Sequence, residues 1–162
     1  MKTIMASLAC IGIFLLSSCT STKMAAQTEH SINGTWQLEK ISTEGISGNF
    51  KAKVFDEEDF SCFIGSSWDF KKSNNTGSYT IGKNGGDCYS VTRNFRWSMY
   101  QAENGAAKQL QFKKLDTNMK EVLNDTGYRL TILQSTPTLL QVRSDLNFEG
   151  KPAAFIYTFT RM

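Results

Sequence analysis

Thr35-Trp36-Gln37-Leu38-Glu39-Lys40 decides the fold of this chain, because its apolar side chains occur at every second position. Successive side chains of a strand point to opposite faces, so Trp36 and Leu38 share one face and the polar residues share the other. The same signal returns along the chain, separated each time by turns rich in Gly, Asn, Asp or Pro. The sequence therefore predicts a succession of short strands, each with one buried and one polar face.

Seven further segments show this alternation. Their inward apolar residues are, in chain order, Trp68 and Phe70; Tyr79 and Ile81; Phe95, Trp97 and Met99; Leu110 and Phe112; Tyr128, Leu130 and Ile132; Leu140 and Val142; and Phe155, Tyr157 and Phe159. Eight strands joined mostly by hairpin turns leave two sheet edges, and closure into a barrel hides both. We predict an all-β, eight-stranded up-and-down antiparallel barrel over residues 32–162, with at most a short helix near residues 52–60. An open two-layer sandwich is the alternative.

The amino terminus has the features of an export signal. The apolar run Ile4–Leu16 is shorter than the roughly 20 apolar residues that a lasting transmembrane helix needs, and it is typical of a cleaved targeting segment. Leu16-Ser17-Ser18-Cys19 resembles the lipobox of bacterial lipoproteins, which implies that residues 1–18 are removed and that Cys19 is lipidated. An ordinary secretory signal followed by an incidental cysteine is the alternative.

The residues after Cys19 bear on where the protein is held. Thr20 stands where an Asp would mark retention at the inner membrane, so the lipobox resemblance implies an outer-membrane lipoprotein on the periplasmic face. Residues 19–31 are small and polar without apolar periodicity, which predicts a flexible tether. Acyl chains contribute about 0.8 kcal/mol per buried CH₂, so the folded domain need not touch the membrane itself.

Composition excludes several classes of function. The net charge of +3 is small and evenly spread, which argues against a nucleic-acid partner. The single histidine, His30, lies in the tether, so we predict no metal and no cofactor. The chain has no nucleophile–base pair and no phosphate-binding Gly loop, and the acidic run Asp56–Asp59 is interpreted as a solvated loop face. We therefore predict that the protein is not an enzyme.

Two cysteines lie beyond the predicted signal and lipidation site. In an oxidising compartment, Cys62 and Cys88 are most simply a disulfide, and closing this loop would stabilise the fold by roughly 3–4 kcal/mol. A catalytic thiol is the weaker interpretation, since no histidine stands near either cysteine in the sequence.

Gly34-Thr35-Trp36 in the first strand and Arg161 at the end of the last resemble the lipocalin (calycin-type) family, in particular the small lipocalin-like lipoproteins of Bacteroidetes-type bacteria. The resemblance covers residues 32–161. It implies that Arg161 packs across Trp36 and closes one end of the barrel. It also implies a ligand-binding mouth at the other end, with the first connection as a lid.

The strand order gives an independent check of this geometry. If eight strands alternate in direction from Trp36 at the bottom, the last strand ends at the bottom and brings Arg161 beside Trp36, where cation–π contact is available. The first and third connections then both lie at the top. Cys62 is in one and Cys88 in the other, so the expected disulfide joins loops at the same end.

The same alternation gives candidate ligand-binding residues. Lys40, Arg93 and Lys114 fall at inward positions near the top ends of strands, where they would form a cationic rim. Below them, the interior residues chosen as candidate ligand contacts are Trp68, Phe70, Trp97, Phe112 and Tyr157. A rim of this charge above aromatic rings suits an amphipathic ligand with an acidic head. The alternative for the cations is that they only solvate the rim.

Two functions remain open from sequence alone. One is binding or carriage of a small hydrophobic or amphipathic molecule. The other is a non-enzymatic protein-interaction role in the envelope, as an inhibitor or assembly factor with a filled barrel, because an eight-stranded barrel is only just wide enough to hold one small ligand. Exposed Tyr89 and Tyr100 would then be the first contact residues to examine.

Overall fold

The structure is a computed structural model, which describes residues 31–48, 50–82, 87–101, 106–122 and 127–162. The expected signal at 1–18, the lipidation site Cys19 and the tether up to residue 30 lie outside the described residues. Within the described ranges, no helix is long and apolar enough to cross a membrane.

Strands dominate the described part of the chain, and a short helix spans Phe60–Phe63. The strands are β1 (Gly34–Glu44), β2 (Lys53–Val54), β3 (Glu58–Asp59), β4 (Ser67–Lys71), β5 (Thr76–Ile81), β6 (Val91–Tyr100), β7 (Gln109–Leu115), β8 (Tyr128–Ser135), β9 (Leu139–Phe148) and β10 (Lys151–Arg161). Eight of them form a closed antiparallel barrel in the order β1-β10-β9-β8-β7-β6-β5-β4. The predicted up-and-down barrel is confirmed, and the sandwich alternative is wrong.

Closure takes place on both sides of β1. Trp36 lies opposite Arg161 of β10 and, on its other side, opposite Trp68 of β4. The first strand therefore pairs with both the next barrel strand and the last one, which leaves no open edge between them.

A bulge in β1 changes which residues face the interior. The register with β10 shifts between Leu38 and Lys40, so one extra residue is inserted at this point. Because side chains alternate with a period of two, the insertion reverses the phase. Ile41 takes the inward position and is 8% exposed, whereas Lys40 is exposed to solvent. The prediction that Lys40 points inward is wrong for this reason.

Aromatic side chains fill the barrel. Among its largest fully buried side chains are Trp36, Trp68, Tyr79, Tyr157, Phe70, Phe95 and Phe112. Neighbouring rings pack closely, as in the stacked pair of Trp68 and Tyr79, whose ring centres are 4.7 Å apart. Burial of a side chain of this size stabilises the fold by about 1.5–3 kcal/mol.

The first connection contains a short helix, as the prediction of at most a short helix there allows, but it lies at Phe60–Phe63 and not over residues 52–60. Before it, β2 and β3 form a separate two-stranded hairpin. Asp59 caps this helix, because its side chain accepts a hydrogen bond from the backbone N–H of Ser61. The paired residues Lys53–Val54 and Glu58–Asp59 form the base of the hairpin, and Phe55 to Glu57 form its tip.

Candidate functional site

The tip of the β2–β3 hairpin is a tight turn with an unusual sequence. The Glu57 N–H donates to the Val54 carbonyl at 3.1 Å, and the two residues between them have positive φ, +55° at Phe55 and +49° at Asp56. Positive φ at both central residues is characteristic of a type I′ turn, which favours Asn and Gly at its centre. A bulky residue in this conformation costs on the order of 1–3 kcal/mol, so other contacts must hold Phe55 in place.

The ring of Phe55 supplies those contacts, because it is inserted into the barrel and is only 7% exposed. Five aromatic rings surround it with centre-to-centre distances of 5.1–5.8 Å, and we call them the aromatic cage: Phe63, Trp68, Phe112, Tyr128 and Tyr157. Edge-to-face and stacked contacts of this kind each add to the free energy of burial. The hairpin therefore fills the upper interior with its own side chain.

Glu57, two residues after Phe55, is partly buried at the mouth. Its side chain is 11% exposed, and its two carboxylate oxygens accept hydrogen bonds from Arg93 at 2.6–3.1 Å. The Tyr79 hydroxyl donates to the same carboxylate at 3.3 Å. The interpretation of the acidic run as a solvated face is therefore wrong for Glu57, whose charge is turned into the mouth.

These contacts affect the ionisation of the groups around Glu57. The hydrogen bonds to Glu57 raise the pKa of Arg93 above its usual value. Burial, followed by the nearby Glu57 charge, raises the pKa of Tyr79 well above its usual value, so this hydroxyl stays protonated and remains a donor. The mouth thus contains a fixed carboxylate held by a cation and a neutral hydroxyl.

Lys114 completes the polar part of the mouth. Its Nζ donates to the Phe55 carbonyl at 3.0 Å and lies 3.9 Å from the nearest carboxylate oxygen of Glu57. The hydroxyl of Tyr128 lies 2.9 Å from the same carbonyl and 2.9 Å from the Asp56 carboxylate. Backbone and side chain of the tip are therefore both bound by residues of the barrel wall.

The structure divides the sequence-predicted ligand residues into three groups. Arg93 and Lys114 face the mouth, and Lys40 is outside the barrel because of the bulge. Trp68, Phe112 and Tyr157 belong to the aromatic cage. Phe70 and Trp97 lie nearer the closed end and pack against each other at 5.6 Å, with the Trp97 indole N–H donating to the Thr76 carbonyl.

The sequence predicted the first connection as a lid over the mouth, but it did not single out Phe55 and Glu57 as the residues of that lid that enter the site. The available signal was indirect: two inward cations at a barrel mouth require a counter-charge, since an unpaired buried charge is costly. The nearest acidic run in the chain is Asp56–Asp59, and only Glu57 of that run reaches both cations.

The closed end and the disulfide fix the frame around the mouth. The Arg161 guanidinium lies over the Trp36 ring, 4.2 Å from its centre, and the Trp36 indole N–H donates to the Ile32 carbonyl at 2.7 Å. At the opposite end, Cys62 and Cys88 form the predicted disulfide, with an S–S distance of 2.07 Å. It joins the helix behind the hairpin to the connection between β5 and β6.

Two cavities open on the described surface. One of about 460 Å³ is lined mainly by outward-facing residues of β6, β7 and β8, among them Arg96, Lys113 and Arg129. The other, of about 380 Å³, lies beside Phe50 and Phe60 at the mouth. The first cavity also reaches Phe112 and Tyr128 of the cage, and Phe55 lines neither cavity. The centre of the cage is occupied by the Phe55 ring itself.

Comparison with known proteins gives one family. A model of a lipocalin-like domain matches residues 32–132. A bovine odorant-binding protein in complex with a selenium-containing odorant is similar with a TM-score of 0.45 at 12% identity, over 83% of this chain and 72% of that one. An odorant-binding protein from bovine nasal mucosa gives a TM-score of 0.44 at 13% identity, over 82% and 72% of the two chains. No curated protein sequence matches the chain.

Proposed function

The chain belongs to the family of lipocalin-like domains, and on that basis we propose that it binds a small amphipathic molecule with an acidic head at the mouth of its barrel. The fold of this family suggests binding of a small hydrophobic ligand rather than catalysis. The finer part of the proposal, the acidic head, comes from the residues of this chain.

One observation carries the proposal: two cations face the mouth directly above an aromatic cage. Arg93 and Lys114 both contact the carboxylate of Glu57, which belongs to the first connection and not to the barrel wall. A ligand carboxylate, sulfonate or phosphate placed there meets the same cations, and its apolar body meets the cage rings. Charged hydrogen bonds of this kind are the stronger class in proteins.

Binding is tested on the mature chain, residues 19–162, carrying Cys19→Ser so that no lipid is attached. The anionic probe 1-anilinonaphthalene-8-sulfonate is titrated by fluorescence, and native mass spectrometry detects any co-purified lipid. We expect saturable binding of one probe per chain. Because Glu57 occupies the same two cations, the test is made in a Glu57→Gln background, where adding Arg93→Ala/Lys114→Ala should lower the affinity by about tenfold, which corresponds to about 1.4 kcal/mol.

Lys40→Ala, in the same background, is the matched control. The sequence pattern placed Lys40 at the mouth together with Arg93 and Lys114, but the bulge in β1 places it outside the barrel. The affinity of this variant for the probe should equal that of the parent protein within about twofold, as expected for an exposed charge. Equal losses in the control and the double variant would mean that the probe is attracted by net charge and not held at the mouth.

The filled barrel interior favours a second candidate function. With Phe55 and the cage rings in place, the barrel is packed, and the protein then acts through its surface as a non-enzymatic interaction module of the envelope. Tyr89 and Tyr100 are 74% and 46% exposed and are available as contacts. Absence of saturable probe binding, together with a mass spectrum free of lipid, favours this function over ligand binding.

We further propose that the domain is held at the outer membrane, on its periplasmic face, by lipidated Cys19. The support is the sequence Leu16-Ser17-Ser18-Cys19. Radiolabelled palmitate should be incorporated into the wild-type protein and not into Cys19→Ser, and the variant should leave the membrane fraction. Equal labelling of both proteins would contradict the lipid anchor.

A further inference from the structure

We propose that the hairpin tip, Phe55 to Glu57, is a built-in competitor that occupies the ligand site, so that ligand binds by displacing it. The inference rests on the proposed function and adds the chemistry and regulation of that site. A molecule must offer both an apolar body and an anionic head to replace both contacts of the tip.

The tip combines the two chemical features expected of such a ligand. Phe55 places an aromatic ring inside the cage, and Glu57 places a carboxylate on Arg93 with Lys114 close by. A purely apolar molecule can replace only the ring. It does not restore the anionic contact that Arg93 and Lys114 lose when Glu57 is displaced. A small anion alone leaves the cage empty. The site therefore selects for amphiphiles with one acidic group.

The hairpin is built to leave the barrel more easily than a barrel strand. β2 and β3 have two residues each and form their own sheet, separate from the barrel. An isolated two-stranded hairpin is marginally stable by itself. The contacts of the Phe55 ring in the cage offset the backbone strain of the two positive φ angles at the tip. Release of the tip relieves this strain, so the strain lowers the free-energy cost of release.

The ends of the connection allow movement while the disulfide limits it. Gly45 and Gly48 precede the hairpin with φ of +72° and +84°, and Gly65 follows the helix with φ of +84°. Glycine adopts such angles at little cost, which permits the chain to pivot at these points. Cys62 remains fixed to Cys88, so a displaced tip stays near the mouth and returns when the ligand leaves.

The inference predicts tighter ligand binding when the tip is weakened. Phe55→Asn removes the ring, and Asn is favoured at this position of a type I′ turn, so the hairpin is kept. Glu57→Gln removes the competing charge. Glu58→Gln, one residue further along the same hairpin, is the matched control because it changes the net charge equally outside the mouth.

Two probes with the same aromatic body, one anionic and one neutral, test both the displacement of the tip and the preference for an acidic head. The anionic 1-anilinonaphthalene-8-sulfonate and its neutral analogue N-phenyl-1-naphthylamine are titrated into the Cys19→Ser mature chain and its variants. Phe55→Asn should tighten both probes by about tenfold, since the competent state becomes more populated. Glu57→Gln weakens the hold of the same tip, so it should also tighten both probes by about tenfold, whereas Glu58→Gln should change neither. In each protein the anionic probe should bind more tightly than the neutral one, because only its sulfonate meets Arg93 and Lys114.

Hydrogen exchange on the protein without tip substitutions gives a readout independent of variant folding. Saturating anionic probe should speed exchange of the amides in 54–59, whereas a ligand that simply covers the hairpin would slow it. Unchanged affinities in Phe55→Asn and Glu57→Gln, or slower exchange at 54–59, overturn the inference while probe binding itself upholds the proposed function. Absence of saturable binding in all four proteins overturns both.

Discussion

The guanidinium of Arg161 occupies the space that a side chain at Gly34 would need. A Cβ at Gly34 would lie 2.5 Å from Nη1 of Arg161, and Gly34 has a φ of +120°. Both the lack of space and the backbone conformation therefore require glycine at this position. The guanidinium donates to the backbone carbonyls of Asn33 and Ser31 and lies over the Trp36 ring. This arrangement explains physically why a Gly-x-Trp opening and a terminal arginine belong together.

Gly34→Ala should lower the free energy of unfolding by about 1–3 kcal/mol, because the new methyl adds backbone strain and meets a guanidinium held by hydrogen bonds. Urea denaturation followed by tryptophan fluorescence measures the loss. Gly48→Ala is the control, since Gly48 also has positive φ but a Cβ there meets nothing within 4 Å. Equal losses at both positions would show that the contact with Arg161 adds nothing to the strain.

Arg161→Lys tests the planar group itself. Lysine keeps the charge but cannot donate to separate backbone carbonyls and stack on Trp36 at the same time, so we expect a loss of about 2–3 kcal/mol. Arg143→Lys is the matched control: Arg143 pairs with Glu44 and Asp145 on the surface, where the expected change is below about 1 kcal/mol. A loss at Arg161 no larger than at Arg143 contradicts a special role in closing the barrel.

Cys62→Ala/Cys88→Ala should lower the free energy of unfolding by about 3.5 kcal/mol on the chain-entropy model for a sequence separation of 26 residues. Urea denaturation of the oxidised parent and the variant gives the difference. Neither cysteine of the native, unreduced parent should react with a thiol reagent, which controls for complete oxidation. A loss below about 1 kcal/mol would mean that the unfolded chain gains little freedom when the bond is removed.

The sequence predicted the barrel because alternation recurs over several residues in each of eight segments, so a local interruption such as the bulge in β1 does not hide it. It also placed Arg161 at Trp36 and the two cysteines at one end, since direction alternates from strand to strand. The orientation of Lys40 could not be predicted: a bulge needs one extra residue in the backbone register, and no residue type in β1 marks it.

The mouth was harder to predict than the barrel for a related reason. Strands of two residues, as in β2 and β3, are too short to show any periodicity, so the lid was predicted without its hairpin. Glu57 lies in a run of acidic residues, and what distinguishes it is a set of tertiary contacts with Arg93, Lys114 and Tyr79 that the sequence does not mark. Arg93 and Lys114 were found because they lie on long strands whose phase is not interrupted.

Asp59 makes the base of the hairpin sensitive to acid. Its carboxylate accepts hydrogen bonds from the Ser61 N–H at 3.0 Å, the Ser61 hydroxyl at 2.6 Å and the Ala52 N–H at 3.1 Å. Partial burial raises the pKa of Asp59, but the hydrogen bonds from Ser61 and Ala52 outweigh it, and the pKa lies below its ordinary value of 3.8. Because the folded-state pKa is depressed, this stabilisation is complete well above pH 3.8 and is lost as the pH falls through the folded-state value.

Asp59→Ala should therefore cost about 1 kcal/mol at pH 7, the usual loss for a helix cap, and the difference from the parent should shrink towards zero in acid. Urea denaturation at pH 7, 5 and 3 measures both proteins under matched ionic strength. Glu58→Ala removes the neighbouring carboxylate, which caps no helix, and its effect should be small at each pH. A difference between Asp59→Ala and the parent that stays constant down to pH 3 would mean that the ionised cap does not stabilise the hairpin base.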